Sequence, residues 1–488
     1  MSQIKVSNLT FGYEGSYDNI FENLSFQIDT DWKLGFIGRN GRGKTTFLNL
    51  LMNRHEYSGT ITSSVIFDYF PFDVEDRALN TTSVVENISA DFHPYQLEKE
   101  LSLLDVAEDV LYRPFSSLSH GEQTKVLLAA LFLRGDHFLL IDEPTNHLDM
   151  NARKIVSDYL NTKKGFILVS HDRTFLDNCI DHVLSINKTT VDTQSGNFTS
   201  WWRNKTLQDN FEMAANKKLR GDIQKMADAA KRTSVWSDRV EKSKIGTGAL
   251  DKGYIGHKAA KMMKRSKAIE SRRRNALFEK SKLLRNIESS DDLSLSPIPY
   301  FTFRLAQMKD VSVFYDERAV CHDISFTIKR GDRIALTGKN GSGKTSIIKL
   351  LLGEKIAYTG NIEVGSGLIV SYVSQDTSHL NGDLKDFARD NGIDESLFKA
   401  ILRKLDFSRV QFDKDMVDFS GGQKKKVLIA KSLCEKAHLY IWDEPLNYID
   451  VLSRMQVEDL IVEHKPTMLF VEHDSAFLSA VATKSVTL

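Results

Sequence analysis

Apolar and polar positions alternate in three regimes along the chain. Up to about residue 200 the apolar residues come in short runs broken by turn residues. Ile4-Lys5-Val6 and Leu24-Ser25-Phe26-Gln27-Ile28 predict strands, and Leu34-Gly35-Phe36-Ile37 predicts a short buried one. Phe47-Leu48-Asn49-Leu50-Leu51 predicts a helix just after it. Beyond Trp201-Trp202 the spacing becomes helical, with Leu207, Phe211, Ala215, Leu219, Ile223 and Met226 three or four residues apart. A second such run holds Met262, Met263, Ile269, Ala276, Leu277, Leu283 and Leu284. Between them Gly246, Gly248, Gly253 and Gly256 interrupt both helices and predict a turn at about 244–256. Helices of about 30–38 residues would make a hairpin roughly 45–55 Å long at about 1.5 Å per residue. Its apolar stripe predicts helix–helix packing, with Trp201 and Trp202 at the base. From about residue 303 the short runs return.

The first short strand leads into Gly38-Arg39-Asn40-Gly41-Arg42-Gly43-Lys44-Thr45, followed by Thr46. This is the phosphate-binding loop pattern in its strand–loop–helix setting. Its glycines let backbone N–H groups wrap phosphates at a helix N-terminus. Lys44 is placed for the β/γ-phosphates and the Thr45 hydroxyl for Mg²⁺. The same stretch recurs as Gly338-Lys339-Asn340-Gly341-Ser342-Gly343-Lys344-Thr345, followed by Ser346 and Ile347-Ile348-Lys349-Leu350-Leu351. Further pairs follow in the same order, as a duplication requires. Leu139-Leu140-Ile141-Asp142-Glu143-Pro144 matches Tyr440-Ile441-Trp442-Asp443-Glu444-Pro445. Here Asp142 and Asp443 are expected to hold Mg²⁺, and Glu143 and Glu444 to polarise the attacking water. His171 and His473, each at the end of an apolar run, are expected to contact the γ-phosphate.

Composition adds one asymmetry. Over 488 residues, 65 Lys+Arg balance 65 Asp+Glu. Yet residues 203–290 hold about 23 Lys and Arg against about 10 Asp and Glu. An excess sustained along both predicted helices, including Lys264, Arg265, Lys267, Arg272, Arg273 and Arg274, points to a polyanion. Few aromatics accompany it, which suits structured RNA better than splayed single strands. The turn carries the apolar Leu250 and the aromatic Tyr254, at the far end of a charged spike. Contact with RNA or drug is expected there. Cys179, Cys321 and Cys434 show no metal-ligand spacing and fit a reducing compartment. The start lacks a signal-peptide apolar block, and no apolar run approaches the roughly 18–20 residues that span a bilayer. A cytoplasmic protein with no membrane segment is expected.

Leu118-Ser119-His120-Gly121-Glu122-Gln123 and Phe419-Ser420-Gly421-Gly422-Gln423 resemble the signature loop of ABC ATPases. The resemblance implies an α/β fold with two tandem ABC-type P-loop ATPase domains, at 1–200 and 303–488. The basic helical hairpin at 201–302 joins them. It also implies that each ATP lies between the P-loop of one domain and the signature of the other. Ser119, Gly121 and Glu122 would then complete one site, and Ser420, Gly421, Gly422 and Gln423 the other. Tyr13 and Tyr315 would stack on adenine, with Asn146-His147-Leu148-Asp149 and Asn447-Tyr448-Ile449-Asp450 as D-loops. Two departures stand out. Gln375 occupies the family's Mg²⁺-contacting position, whereas Phe72 stands opposite it, and His120 replaces a signature glycine. Each composite site thus carries one departure. Both are expected to bind ATP and at least one to hydrolyse it.

Two ABC domains joined by a basic hairpin resemble the ABC-F family. The stretch from Gly253-Tyr254-Ile255-Gly256 to Lys267 resembles its Lsa/Vga-type antibiotic-resistance branch. That resemblance implies binding at the E site of the 70S ribosome, with the linker reaching over the P-site tRNA to the 23S rRNA of the peptidyl-transferase centre. It implies protection against lincosamides, streptogramin A and pleuromutilins by a monomer with no obligate protein partner. The absence of an extra arm in the first domain and of a C-terminal extension is also expected of that branch. Rival readings are a housekeeping ABC-F translation factor, the tandem ATPase subunit of a membrane importer, and a DNA-repair or chromosome ATPase.

Overall fold

The computed structural model describes residues 2–13, 19–89, 92–135, 137–146, 148–186, 191–242, 293, 295–315 and 318–488. The predicted turn and second long helix, with Leu250, Tyr254, Lys264, Arg265, Lys267, Arg272, Arg273 and Arg274, lie outside them, as does His147.

The first half contains β1 (Gln3–Phe11), β2 (Phe21–Asp29), β3 (Lys33–Ile37), β4 (Ser58–Thr62), β5 (Ile66–Phe70), β6 (His137–Asp142), β7 (Phe166–Val169), β8 (His182–Ile186) and β9 (Val191–Ser195). The second contains β10 (Arg304–Tyr315), β11 (Arg318–Lys329), β12 (Arg333–Thr337), β13 (Ala357–Val364), β14 (Val370–Val373), β15 (Leu439–Asp443), β16 (Met468–Val471) and β17 (Lys484–Thr487). Each half has a three-stranded antiparallel sheet, β2-β1-β4 or β11-β10-β13. Each also has a parallel sheet in the order β5-β6-β7-β3-β8 or β14-β15-β16-β12-β17, which β9 extends antiparallel in the first half. Strands buried on both faces must be apolar throughout, and β7 and β16 are.

In each half the P-loop helix, Lys44–Leu51 or Lys344–Leu351, lies between the two sheets. Phe47, Leu48 and Leu51 pack with Ile4, Val6, Phe36, Ile167 and Val169, and Ile347, Ile348 and Leu351 with Met308, Leu336 and Leu469. The second domain's core reaches back to Leu293 and Leu295, and Tyr300 O–H donates to the Ser366 carbonyl at 2.7 Å.

The halves differ where β5 and β14 pass the signature helices. In the first, Arg134 and His137 pair with Asp68 at 2.7 and 2.8 Å. In the second, a polar chain is buried instead. Trp442 Nε1 donates to Ser432 Oγ at 2.9 Å, Ser432 bonds Ser371 at 2.7 Å, and Ser371 donates to Glu435 at 2.6 Å.

The first long helix, Phe198–Lys242, has 45 residues, more than the predicted 30–38. It starts three residues before Trp201, where the Asn197 side chain accepts from the Ser200 N–H at 3.1 Å. Trp201 is buried beside Phe198, and Leu207 and Phe211 are 61% and 77% exposed.

The indole N–H of Trp442 depends on one hydroxyl. Ser432→Ala should lower unfolding free energy by about 1–3 kcal/mol in a urea titration, because that donor would be left buried and unpaired.

Candidate functional site

The site begins with two left-handed glycines. Gly43 at φ 90° and Gly343 at φ 91° turn the loops into their helices. At Gly43 a side chain is also excluded sterically, since a Cβ would stand 2.8 Å from Phe21 Cζ. Lys44 Nζ donates to the Gly38 and Arg39 carbonyls at 2.7 and 3.2 Å, and Lys344 Nζ to those of Gly338 and Lys339 at 3.0 and 2.9 Å. Burial pushes both ammonium groups below the usual lysine range. At each rim a tyrosine is tethered to the residue after the P-loop threonine. Tyr13 bonds Thr46 at 3.0 Å and Tyr315 bonds Ser346 at 3.1 Å, and both rings remain 46% exposed. An exposed ring fixed beside the loop is a candidate stacking platform for a base.

β6 and β15 end at Asp142 and Asp443, and the next residue must leave the sheet sharply. Glu143 and Glu444 do so at φ 53° and 48°, each bonding its N–H to the neighbouring strand, at Val169 and Val471. Strain at a carboxylate beside phosphate loops marks a functional turn. Asp142 accepts from Thr45 Oγ1 at 2.8 Å and from Tyr69 O–H at 3.0 Å. Asp443 is fully buried, and neither of its carboxylate oxygens has a hydrogen-bond partner of good geometry. Burial raises its pKa to about 6, helped by the Glu444 charge and opposed by Thr345, Lys425 and Lys344. Such an orphaned acid beside a threonine hydroxyl fits a divalent cation. Thr345, Gln375 and Asp443 are the candidate holders at this site, with Thr45 and Asp142 at the other.

The two glutamates differ. Glu444 accepts from Gln375 Nε2 at 2.8 Å and Asn447 Nδ2 at 2.7 Å, with His473 Nε2 at 3.5 Å. Burial works against its charge, but His473, Gln375 and Lys425 outweigh it and hold the acid below its ordinary range. Glu143 has His171 Nε2 at 3.3 Å without a completed hydrogen bond. Burial and then the Asp142 charge push it well above the ordinary range, and burial also holds His171 neutral. The strand register explains the absent amide. Phe70 pairs with Ile141 and Val373 with Trp442, so Phe72 and Gln375 occupy equivalent positions.

Each P-loop faces the other half's signature. Ser119 and Ser420 cap the helices His120–Phe132 and Gly421–Cys434 in capping boxes with Glu122 and Gln423. Ser119, Glu122, Ser420 and Gln423 thus first satisfy their own helix ends, which leaves other N–H groups of each N-terminus to face an anion. Ser119, His120, Gly121 and Glu122 line a cavity of about 720 Å³ opposite Lys339, Asn340, Gly341, Gly343, Lys344, Thr345 and Ser346. At the other site Asn40 Nδ2 donates to the Tyr448 carbonyl at 2.8 Å, beside Gly422, and Arg42 pairs with Asp406 at 3.3 Å. Ser342 and Arg39 belong to the P-loops as well, and Arg39 is buried. Gly421 has Tyr448 alongside.

Several residues were not singled out from sequence. Arg153 and Arg454, each four residues after a D-loop aspartate, grip their own D-loops through the Leu148 and Ile449 carbonyls at 3.0 and 2.9 Å. They also pair with Asp172 and Asp474 just past the histidines, at 3.0 and 3.3 Å. Recurrence at one offset in both halves is the signal that would have found them. Asp450, fully buried, pairs with Lys426 at 3.0 Å. Although burial works against its charge, Lys426 and the Ser453 N–H hold it well below the carboxylate range. Arg173 pairs with Glu458, and Ser475 Oγ donates to Thr174 at 2.9 Å, so the halves also touch beyond the phosphate loops.

Paired P-loops, each followed by adjacent carboxylates and faced by a capped helix N-terminus, define a tandem nucleotide-hydrolysing protein. The profile of the ABC transporter family matches residues 21–146 and 321–447. The chain belongs to that family and is an ABC-F type ATP-binding protein, hydrolysing ATP with two nucleotide-binding domains. It is 26% identical to the ATP-binding protein Uup of Buchnera aphidicola subsp. Acyrthosiphon pisum over 512 residues, covering 99% of this chain and 80% of Uup. It is 24% identical to the ribosome protection protein VmlR of Bacillus subtilis over 495 residues, covering 98% of this chain and 85% of VmlR. In fold it is similar to the archaeal ribosome recycling factor aABCE1, crystallised with the ribosomal stalk protein aP1. The TM-score is 0.63 at 20% identity, covering 98% of this chain and 87% of that one. Among the described residues no helix is long and apolar enough to cross a membrane.

The two signature glycines should respond differently to a methyl group. At Gly422 it would run into the Tyr448 carbonyl oxygen, whereas at Gly121 its nearest neighbour is Leu148 Cδ2 at 3.5 Å. Gly422→Ala should therefore destabilise the nucleotide-free protein by about 1–3 kcal/mol and Gly121→Ala by less than about 0.5 kcal/mol, read as urea midpoints.

Proposed function

We propose that this protein is a cytoplasmic, ribosome-binding ATPase that shields the peptidyl-transferase centre of the 70S ribosome from lincosamide, streptogramin A and pleuromutilin antibiotics. It acts as a monomer with no obligate protein partner and no membrane association. The observation that carries the reading is the basic segment 203–290, set between two ATPase halves that face each other within one chain. A polyanion of phosphates is the natural counterpart of such a segment. In this reading the segment reaches from the E site over the P-site tRNA toward 23S rRNA. Likeness to VmlR over nearly the whole chain supports it.

At the Lys344 site, Glu444 takes a proton from the attacking water, held for that task by Gln375, Asn447 and His473. Lys344 neutralises phosphate charge, and the Ser119 helix faces the γ-phosphate from the other domain. Mg²⁺, when bound, screens the phosphate oxygens. The Lys44 site works alike, with Glu143 and His171 on one side and the Ser420 helix on the other. Loss of the γ-phosphate removes the anion both halves share, so hydrolysis weakens their contact and releases the ribosome.

A second reading is a general translation ATPase of the same family, which would share every ATP-site motif and the basic segment. Two measurements separate the possibilities. Glu143→Gln with Glu444→Gln should cut ATPase activity at least about 100-fold while ATP-dependent co-sedimentation with 70S ribosomes persists. Near-normal hydrolysis in that variant would overturn the ATP-site assignment. Deleting residues 247–254, or changing Leu250 and Tyr254 to Ala, should abolish drug protection in susceptibility tests while ribosome binding survives. Full protection by either variant would leave the translation-factor reading standing.

A further inference from the structure

The helix Gly421–Cys434 serves the Lys44 site with its first turn, through Gly422 beside Asn40. One turn further on, the same helix reaches into the other site. Lys425 is 2% exposed, and its Nζ donates to the Ser374 carbonyl at 2.9 Å and approaches the Asp443 carbonyl at 3.4 Å. Ser374 immediately precedes Gln375, and Asp443 immediately precedes Glu444. One ammonium group therefore ties together the two backbone segments whose side chains meet in the Gln375–Glu444 hydrogen bond.

A buried ammonium requires negative charge nearby. The carboxylates of Glu472, Asp443, Glu444 and Asp376 act on it, and burial pushes Glu472, itself 3% exposed, above the ordinary carboxylate range against the opposing Arg454 charge. Glu472 accepts from the Leu446 N–H at 2.8 Å, so it also holds the turn that follows Glu444. The first half has neither charge. Thr124 stands five residues after Ser119, as Lys425 stands after Ser420, and Ser170 precedes His171 as Glu472 precedes His473. A threonine is too short to reach a carbonyl that a lysine spans. Ser170 bonds Thr145 and the Asp172 N–H at 3.3 and 3.2 Å, so that half has a neutral solution to the same packing problem.

We propose that Lys425 is a positioning residue for Gln375 and Glu444, and that it makes the Lys344 site the faster of the two at hydrolysing ATP. Lys425 touches neither nucleotide nor attacking water. It acts by fixing the backbone from which the water-orienting groups project, and a small misplacement of such groups slows the chemical step more than it weakens binding. The proposal rests on the assignment of Glu143 and Glu444 as the general bases.

The test uses the full chain in two single-site backgrounds. Glu143→Gln confines hydrolysis to the Lys344 site, and Glu444→Gln confines it to the Lys44 site. If the base assignment is wrong, both parents keep the wild-type rate before Lys425 is touched. If it is right, the Glu143→Gln parent should be the faster. Into each parent goes Lys425→Met, which removes the ammonium and both of its carbonyl hydrogen bonds while Glu472 keeps its bond from the Leu446 N–H. In the Glu143→Gln background kcat should fall about tenfold with KM within about twofold. In the Glu444→Gln background kcat should stay within about twofold. Lys425→Arg, which keeps charge and reach, should retain at least half the rate in the first background. Equal losses in both backgrounds would reduce Lys425 to a packing residue. No loss in the first, or a slower Glu143→Gln parent, would overturn the proposal.

Discussion

A phosphate group has oxygens on more sides than one loop can cover, and this protein is arranged around that constraint. The P-loop supplies N–H groups and a lysine from one side. A capped helix N-terminus lies on the other side, and here it comes from the opposite half. The two halves are therefore opposed, with Gly422 against Asn40 at one site and the Ser119 helix across a cavity from Lys344 at the other. The remaining polar architecture follows from this contact. The D-loops run along it, held by Arg153 and Arg454, and Asp450 is buried at it with Lys426.

Opposition does not make the sites equal. Their carboxylates follow different electrostatics. Glu444 is surrounded by donors and remains an anion, whereas Glu143 has burial and a neighbouring anion against it and holds its proton. A divalent cation held by Thr45 and Asp142 would bring positive charge toward Glu143 and shift that balance.

Chemistry that depends on neighbours in the chain was legible in the sequence. A left-handed glycine, a serine three residues before its capping partner and a strand ending in two acids are local patterns, because backbone conformation is set by residues within a turn of one another. The duplication made them stronger, since a pattern that returns in the same order twice is not an accident of composition. From such patterns the α/β fold with two ABC-type domains could be read correctly. Contacts across the fold left no such trace. Lys425 lies 51 residues from Ser374, and Lys in a signature helix reads as a solvated charge until the carbonyl it serves is known. The helix Phe198–Lys242 starts ahead of the apolar repeat, at a cap that Asn197 sets.

Local patterns in the chain were enough for the duplicated phosphate loops, the acids that follow them, the capped signatures and the two departures, and the head-to-tail pairing that the resemblance implies assigned Phe72 to the Lys44 site and His120 to the Lys344 site. The folded protein holds one glutamate as an anion and not the other, and it brings a buried lysine behind one site alone. The physical reason is range. Capping and turn preferences act through adjacent bonds, whereas burial, charge and reach act through space, and their sign depends on what the fold brings alongside.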